Sequence, residues 1–310
     1  MNQNMAFVFP GQGSQSIGML ADLAEHSPQV QATFAEASEV LQRDLWQLVQ
    51  EGPEADLNRT DLTQPVLLTA STALWRVWRE REGAQPAFLS GHSLGEYSAL
   101  VAAGALNFKD AVALVNKRGQ FMQEAVPAGS GLMAAVLGLA DEEIRALCER
   151  AAQGDVVSAV NFNSPGQVVI AGNKSAVERA IELCKEAGAK RALPLAVSVP
   201  SHCELMRPAA DKLAQELSQI EIRMPEIPVV QNVAASVSNT PEEIKQALIE
   251  QLYRPVLWVD CVNAMVAQGV TQLIECGPGK VLSGLNKRIS RDLEVGSIGD
   301  VDGMEKALSA

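Results

Sequence analysis

The sequence predicts an α/β protein, a large domain built around one strand–turn–helix with a small ferredoxin-like domain inserted in it. Three observations carry this. Gly91-His92-Ser93-Leu94-Gly95 joins a short apolar strand, Ala87–Ser90, to a helix that starts near Glu96. Residues 133–197 then alternate as β-α-β-β-α-β, the order of the split βαβ unit. Late in the chain an apolar strand, Leu273–Glu275, follows the insertion. The expected division is 1–128 and 198–310 for the large domain and 129–197 for the small one.

Composition bounds the function. The chain has 310 residues, 47% of them hydrophobic and 20% charged, enough for a large core. No stretch approaches the ~20 apolar residues of a membrane span, and the first residues lack the pattern of a secretory signal. The five cysteines are widely spaced, odd in number and without C-x-x-C. That argues against a disulfide framework or zinc site and for reduced thiols in a cytoplasm. A formal net charge of −12 argues against nucleic acid or an anionic membrane as partner.

In chain order, Ala6–Phe9 is a buried strand that ends in Pro10-Gly11-Gln12-Gly13-Ser14-Gln15. As a dinucleotide loop it fails, because Ser16 stands at the third glycine position. It serves equally as an ordinary turn or as a loop whose Gln12 N–H faces the active site. Residues 20–80 are helical in period, with breaks expected near Pro28, Gly52-Pro53 and Gln64-Pro65 and a long apolar helix over Val66–Trp78.

The turn at Ser93 has the G-x-S-x-G spacing of a nucleophile elbow. Side chains at Gly91 and Gly95 would collide in so sharp a turn. The following helix aims its free N–H groups and positive dipole end at the same point, which makes the Leu94 N–H a natural oxyanion donor. Gln12 is the candidate for the second donor. The plain alternative is a βα turn in which Ser93 caps the helix.

The next helix, near Lys109–Ala125, carries its apolar stripe through Ala111, Leu114, Val115, Phe121 and Met122. Arg118 falls inside the stripe, while Lys117, Gln120 and Glu124 lie on the polar face. Stranding a buried guanidinium costs roughly 3–5 kcal/mol, so Arg118 needs either an internal Asp or Glu or a substrate carboxylate.

Pro127-Ala128-Gly129-Ser130-Gly131 reads as a hinge. The small domain follows as Met133–Leu139, Asp141–Ala152, Val156–Asn161, Gln167–Ala171, Lys174–Ala187 and Lys190–Val197. Of three histidines, His26 lies in a polar stretch and His92 diverges from its neighbour Ser93, which leaves His202 as the general base. Ser201-x-x-Glu204 has the spacing of a capping box, which would put His202 in a first helical turn where the dipole disfavours imidazolium. Thr240-Pro241-Glu242-Glu243 is a second box. On the helix it opens, Gln251 faces the apolar side and orients His202 by its side chain or its carbonyl, or else is a structural amide. A serine and a histidine indicate acyl transfer without separating transfer from hydrolysis.

Taken together, these segments resemble the malonyl-CoA:acyl carrier protein transacylase family of bacterial fatty acid synthesis from end to end. The matching segments are Phe7–Gln15, Gly91–Tyr97, Arg118-Gly119, Asn161–Gly172, Pro200-Ser201-His202, Gln251 and Glu275–Lys280. The resemblance implies an α/β-hydrolase-like large domain, ping-pong transfer through a malonyl-serine, and no metal or redox cofactor. It assigns the carboxylate to Arg118 and the histidine-orienting position to Gln251. Malonyl-CoA and acyl carrier protein are the implied substrates, and a serine thioesterase or a silent carrier-binding module are the competing readings. An acidic carrier protein needs a basic surface, and Lys190-Arg191 with Lys287-Arg288 (extended by Lys280 and Arg291) are the candidate clusters.

Overall fold

The computed structural model describes residues 2–197 and 199–309; residue 198, where the second large-domain segment is expected to begin, lies outside the described residues. Ten strands are described in chain order. They are β1 (Asn2–Phe9), β2 (Pro86–Gly91), β3 (Gly131–Leu137), β4 (Val157–Ser164), β5 (Gln167–Asn173), β6 (Arg191–Pro194), β7 (Val229–Gln231), β8 (Ser236–Val237), β9 (Gln272–Glu275) and β10 (Glu294–Ser297). They form two sheets of order β10-β9-β1-β2-β7-β8 and β4-β5-β3-β6.

The large sheet is parallel except where β8 turns back antiparallel on β7. Within it β1 is an unbroken apolar run from Met5 to Phe9, where both faces are covered. Phe7 and Phe9 pack on one side in a cluster with Trp75 and Trp78, and Ala6 and Val8 on the other in a cluster with Trp258 and Val262. The Phe7 ring lies 5.4 Å from Trp75 and 5.1 Å from Trp78. Phe9 pairs with Gly91 and Val8 with Glu275, so the loops after β1, β2 and β9 gather at one edge. That edge, at the carboxyl ends of parallel strands, is where such sheets place their sites.

The helix leading to β2 runs unbroken over Thr60–Glu80, with Pro65 inside it, so the break expected at Gln64-Pro65 does not occur. Proline removes the N–H that would bond the carbonyl four residues back. Here that carbonyl, of Asp61, instead accepts Asn116 Nδ2 at 2.8 Å. Asn116 lies on the helix Phe108–Ala125, whose start is capped by the Asn107 side chain accepting from Lys109 and Asp110 N–H. That helix buries Ala111, Leu114, Val115, Arg118 and Met122, with Phe121 only half-buried.

The small sheet is wholly antiparallel, with helices Asp141–Ala152 and Lys174–Glu186 on one face. Its other face carries Met133, Val169 and Ala171 toward the large domain, against Cys203. Main-chain bonds join β4 to the loop at Val256. Phe162 N–H donates to the Val256 carbonyl at 3.0 Å, and Val256 N–H to the Val160 carbonyl at 2.8 Å. β4 runs on to Ser164, so the turn into β5 is only Pro165-Gly166, and β6 stops at Pro194, short of the expected Val197.

The capping box expected at Ser201 is not formed. His202 adopts a left-handed backbone, φ 65°, and donates its N–H to the Leu252 carbonyl at 3.0 Å. A single 3₁₀ turn, Glu204–Met206, follows, and the α-helix begins at Arg207 with Pro208 in its first turn. Proline is favoured in the first turn of a helix, which suits a start five residues beyond His202. The box at Thr240 does form, although Glu243 returns its bond to Asn239 N–H rather than to Thr240.

Candidate active site

Two glycines let the turn after β2 form. A Cβ on Gly91 would lie 1.9 Å from the Gly95 carbonyl, and one on Gly95 would lie 1.9 Å from the Phe9 carbonyl of β1. Between them Ser93 takes φ 51°, a costly conformation for a residue with a side chain. Asn232, just past β7, holds it there. Its Oδ1 accepts Ser93 N–H at 2.8 Å, and its Nδ2 donates to the Gly91 carbonyl at 2.7 Å.

Ser93 Oγ lies 2.9 Å from His202 Nε2. His202 Nδ1 lies 2.6 Å from the Gln251 carbonyl oxygen. A carbonyl only accepts, so Nδ1 carries the proton and Nε2 presents its lone pair to the serine hydroxyl. His202 is 4% exposed. Burial first, and then the charge of Arg118, lower its pKa to about 3. The base is kept neutral by desolvation, not by the helix dipole expected from the sequence.

Arg118 is fully buried. It has no carboxylate partner among the described residues. Nη1 donates to Gln64 Oε1 at 2.6 Å, and Nη2 to Gln251 Oε1 at 2.9 Å. Nη2 also lies 3.3 Å from Ser93 Oγ, Nε has no partner, and the guanidinium faces the Tyr97 ring at 5.3 Å. The internal Asp or Glu weighed from the pattern is therefore replaced by two amides. Gln251 gives its carbonyl to His202 and turns its side chain elsewhere. Its Nε2 donates to the Ser93 carbonyl and to Glu96 Oε2, each at 3.0 Å.

A cavity of about 200 Å³ opens over this pair, lined by Gln12, Ser93 and His202 from the large domain and Met133, Asn161 and Val169 from the small one. Two larger clefts, beside β10 and between Gln31 and Trp46, have no histidine or cysteine in their walls. Among the described residues, neither the Gln12 nor the Leu94 main-chain N–H has a protein acceptor. Leu94 is 1% exposed, directly before the helix Gly95–Ala102. The Gln12 side chain donates to Thr60 Oγ1 at 3.4 Å, on the wall of the same cavity. His92 points to Asn163 Oδ1 at 2.7 Å with its ring tilted against Trp258, and His26 binds the Asp22 carbonyl, so neither bonds Ser93.

One residue of each basic cluster, Arg288 and Arg191, lies at the same end of the small sheet. Arg288 Nη1 donates to Gln167 Oε1 at 2.7 Å. Gln167 pairs with Leu137, and Leu137 with Arg191, on three adjacent strands. Two strand spacings, roughly 10 Å, therefore separate Arg191 from Gln167. Lys287 is used otherwise, donating to the Arg291 and Leu293 carbonyls, and Lys280 pairs with Asp300 at 3.1 Å.

Three residues under the site were missed in the sequence. Glu96 and Asn232 are fully buried and bonded to one another, and Gln64 holds Arg118. The signal available was a polar side chain inside an apolar run, Glu96 before Tyr97-Ser98-Ala99-Leu100 and Asn232 after Val229-Val230.

The acyl transferase domain family matches residues 6–299. The chain is 60% identical over 303 residues to the malonyl CoA-acyl carrier protein transacylase of Escherichia coli (strain K12), with 98% of each covered. It is 50% identical over 305 residues to that of Bacillus subtilis (strain 168), covering 98% of this chain and 96% of the relative. An acyl carrier protein S-malonyltransferase structure from Vibrio cholerae O1 biovar eltor is similar at TM-score 0.97 and 63% identity, covering 98% of this chain and 99% of that one. A malonyl-transacylase solved in complex with a type II PKS acyl-carrier protein is similar at TM-score 0.98 and 58% identity, with 99% of each chain covered.

Proposed function

The chain belongs to the acyl transferase domain family, and on that premise we propose that it carries the malonyl group from malonyl-CoA to the thiol of acyl carrier protein by way of Ser93. The observation that carries the proposal is the Ser93–His202–Gln251 carbonyl line, with the guanidinium of Arg118 beside the same hydroxyl.

Ser93 Oγ attacks the thioester carbonyl as His202 Nε2 takes its proton. The C–S bond breaks, and the CoA sulfur leaves with the proton from His202. In the second half His202 takes the carrier thiol proton, the sulfur attacks the malonyl ester, and the proton returns to Ser93. The N–H groups of Gln12 and Leu94 receive the oxyanion in both halves, and losing such a donor costs roughly 10²–10³ in rate. Arg118 takes the free carboxylate, for which a planar fork suits a planar anion. Gln251 orients the base through its carbonyl, in the place where a hydrolytic triad has a carboxylate, and this favours transfer over the thioesterase reading.

Carrier protein docks on the basic patch of Lys190, Arg191, Lys287 and Arg288, a reading supported by Arg288, which bonds Gln167 two strands from Arg191. The division into 1–128 with 198–310 and 129–197 belongs to the same reading, supported by a second sheet confined to Gly131–Pro194. No described helix is long and apolar enough to cross a membrane, and the five buried free thiols fit a cytoplasmic setting. Steady-state kinetics test the mechanism. Varying malonyl-CoA at several carrier concentrations gives parallel double-reciprocal lines for a ping-pong enzyme, whereas intersecting lines would reject the covalent route.

A further inference from the structure

Glu96 is fully buried on the first turn of the helix after the elbow. Its Oε2 accepts Asn232 N–H and Gln251 Nε2, each at 3.0 Å, and its Oε1 accepts Gln231 Nε2 at 3.3 Å. All three partners are N–H donors and none accepts a carboxyl proton, a set that suits an ionised carboxylate. Burial holds its pKa above the usual carboxylate range, and these donors and the charge of Arg118 offset only part of that.

No cation touches Glu96 among the described residues, yet Arg118 is one amide away. Arg118 Nη2 donates to Gln251 Oε1, and Gln251 Nε2 donates to Glu96 Oε2. The amide turns its acceptor to the cation and its donor to the anion. A contact ion pair would occupy the guanidinium fork, and an absent anion would leave the buried cation uncompensated. The spacer avoids both outcomes. Arg118 keeps its charge balanced while Nε stays unpartnered and Nη2 reaches Ser93 Oγ.

We infer that Glu96 is a positioning residue that sets, through the Gln251 amide, how strongly Arg118 attracts an acyl carboxylate. This rests on the reading of Arg118 as the carboxylate site. Transfer requires the carboxylate to be held during acylation and given up with the acyl group afterwards. A group held equally well in ground and transition states gains no rate. An anion one amide behind the guanidinium weakens the hold on a second anion in front of it, because like charges at this range in a low-dielectric interior repel strongly. The same carboxylate fixes Asn232, which pins Ser93 N–H.

The test is protection of Ser93 by malonate against a serine-directed acylating agent, which needs no turnover. E96Q removes the rear anion while Gln64 still holds Arg118, so malonate protects about tenfold more tightly than in the wild type. The gain disappears in the E96Q/R118A double variant. A residue serving only the fold would leave malonate binding unchanged or weaken it, and either result overturns the inference. If R118A alone protects as well as the wild type, it is the carboxylate reading of Arg118 that fails. Should E96Q not fold, infrared difference spectra of the wild-type protein with and without malonate decide the matter. No malonate-sensitive band of a protonated carboxyl is expected, and the appearance of one would overturn the counter-charge.

Discussion

His202 Nδ1 faces the main-chain carbonyl of Gln251 at 2.6 Å, so the imidazole is oriented by a neutral acceptor. A carbonyl fixes the tautomer but carries no full charge to stabilise imidazolium. With burial and the nearby Arg118 added, the base stays neutral far below the usual histidine range, at about pKa 3.

The pH dependence of acylation follows. Single-turnover formation of acyl-Ser93 holds its rate from pH 7.5 down to about pH 5, because His202 is unprotonated throughout. A decline with an apparent pKa near 6.5 would mean an exposed imidazole. Stability moves the other way. The unfolded chain protonates His202 below about pH 6.5 and the folded one does not. Stability attributable to this group is therefore intact above pH 6.5 and lost as pH falls toward 3, by up to about 1.4 kcal/mol per pH unit. Thermal denaturation at pH 7 and pH 5 measures it.

Removing the pair separates its roles. His202→Ala lowers the acylation rate by about 10²–10⁴ from lost acid–base catalysis, with the fold retained by circular dichroism. Truncating the Gln12 side chain costs much less than losing an oxyanion donor, because its proposed donor is main chain.

Arg118→Ala cripples malonyl transfer and spares or improves acetyl transfer, which brings no carboxylate. Competition between malonyl-CoA and acetyl-CoA reads this directly. Equal losses for both would make Arg118 a structural residue held by Gln64 and Gln251.

Charge reversal at the rim is best made at Arg191 and Arg288. Lys287 closes the end of its helix by binding two carbonyls, so its reversal would also disturb the fold. The Arg191→Glu, Arg288→Glu double variant raises the apparent KM for carrier protein, most at low salt, since rim charges act on encounter. Malonylation of Ser93 from malonyl-CoA falls much less. Unchanged carrier kinetics at low ionic strength would place docking elsewhere.

What the sequence made legible is what short-range spacing dictates. The strand-to-helix turn at Ser93, the inward Arg118 and the β-α-β-β-α-β insertion are written in adjacent residues or in helical period. The misreadings arise where a distant group decides. Pro65 breaks nothing because Asn116, on another helix, satisfies the Asp61 carbonyl. Ser201 caps nothing because the Leu252 carbonyl draws His202 into a left-handed backbone. Glu96 is silent for the same reason, since its partners Asn232 and Gln251 lie 136 and 155 residues away.

The most direct measurement of the central claim is the intact mass of the protein mixed with malonyl-CoA, before and after adding acyl carrier protein with its free thiol. The account predicts a gain of one malonyl group, located at Ser93 by peptide mapping, and its disappearance as malonyl-carrier protein forms. Ser93→Ala shows no gain. A malonyl adduct that persists in Ser93→Ala, or one that water removes without forming malonyl-carrier protein, would contradict it.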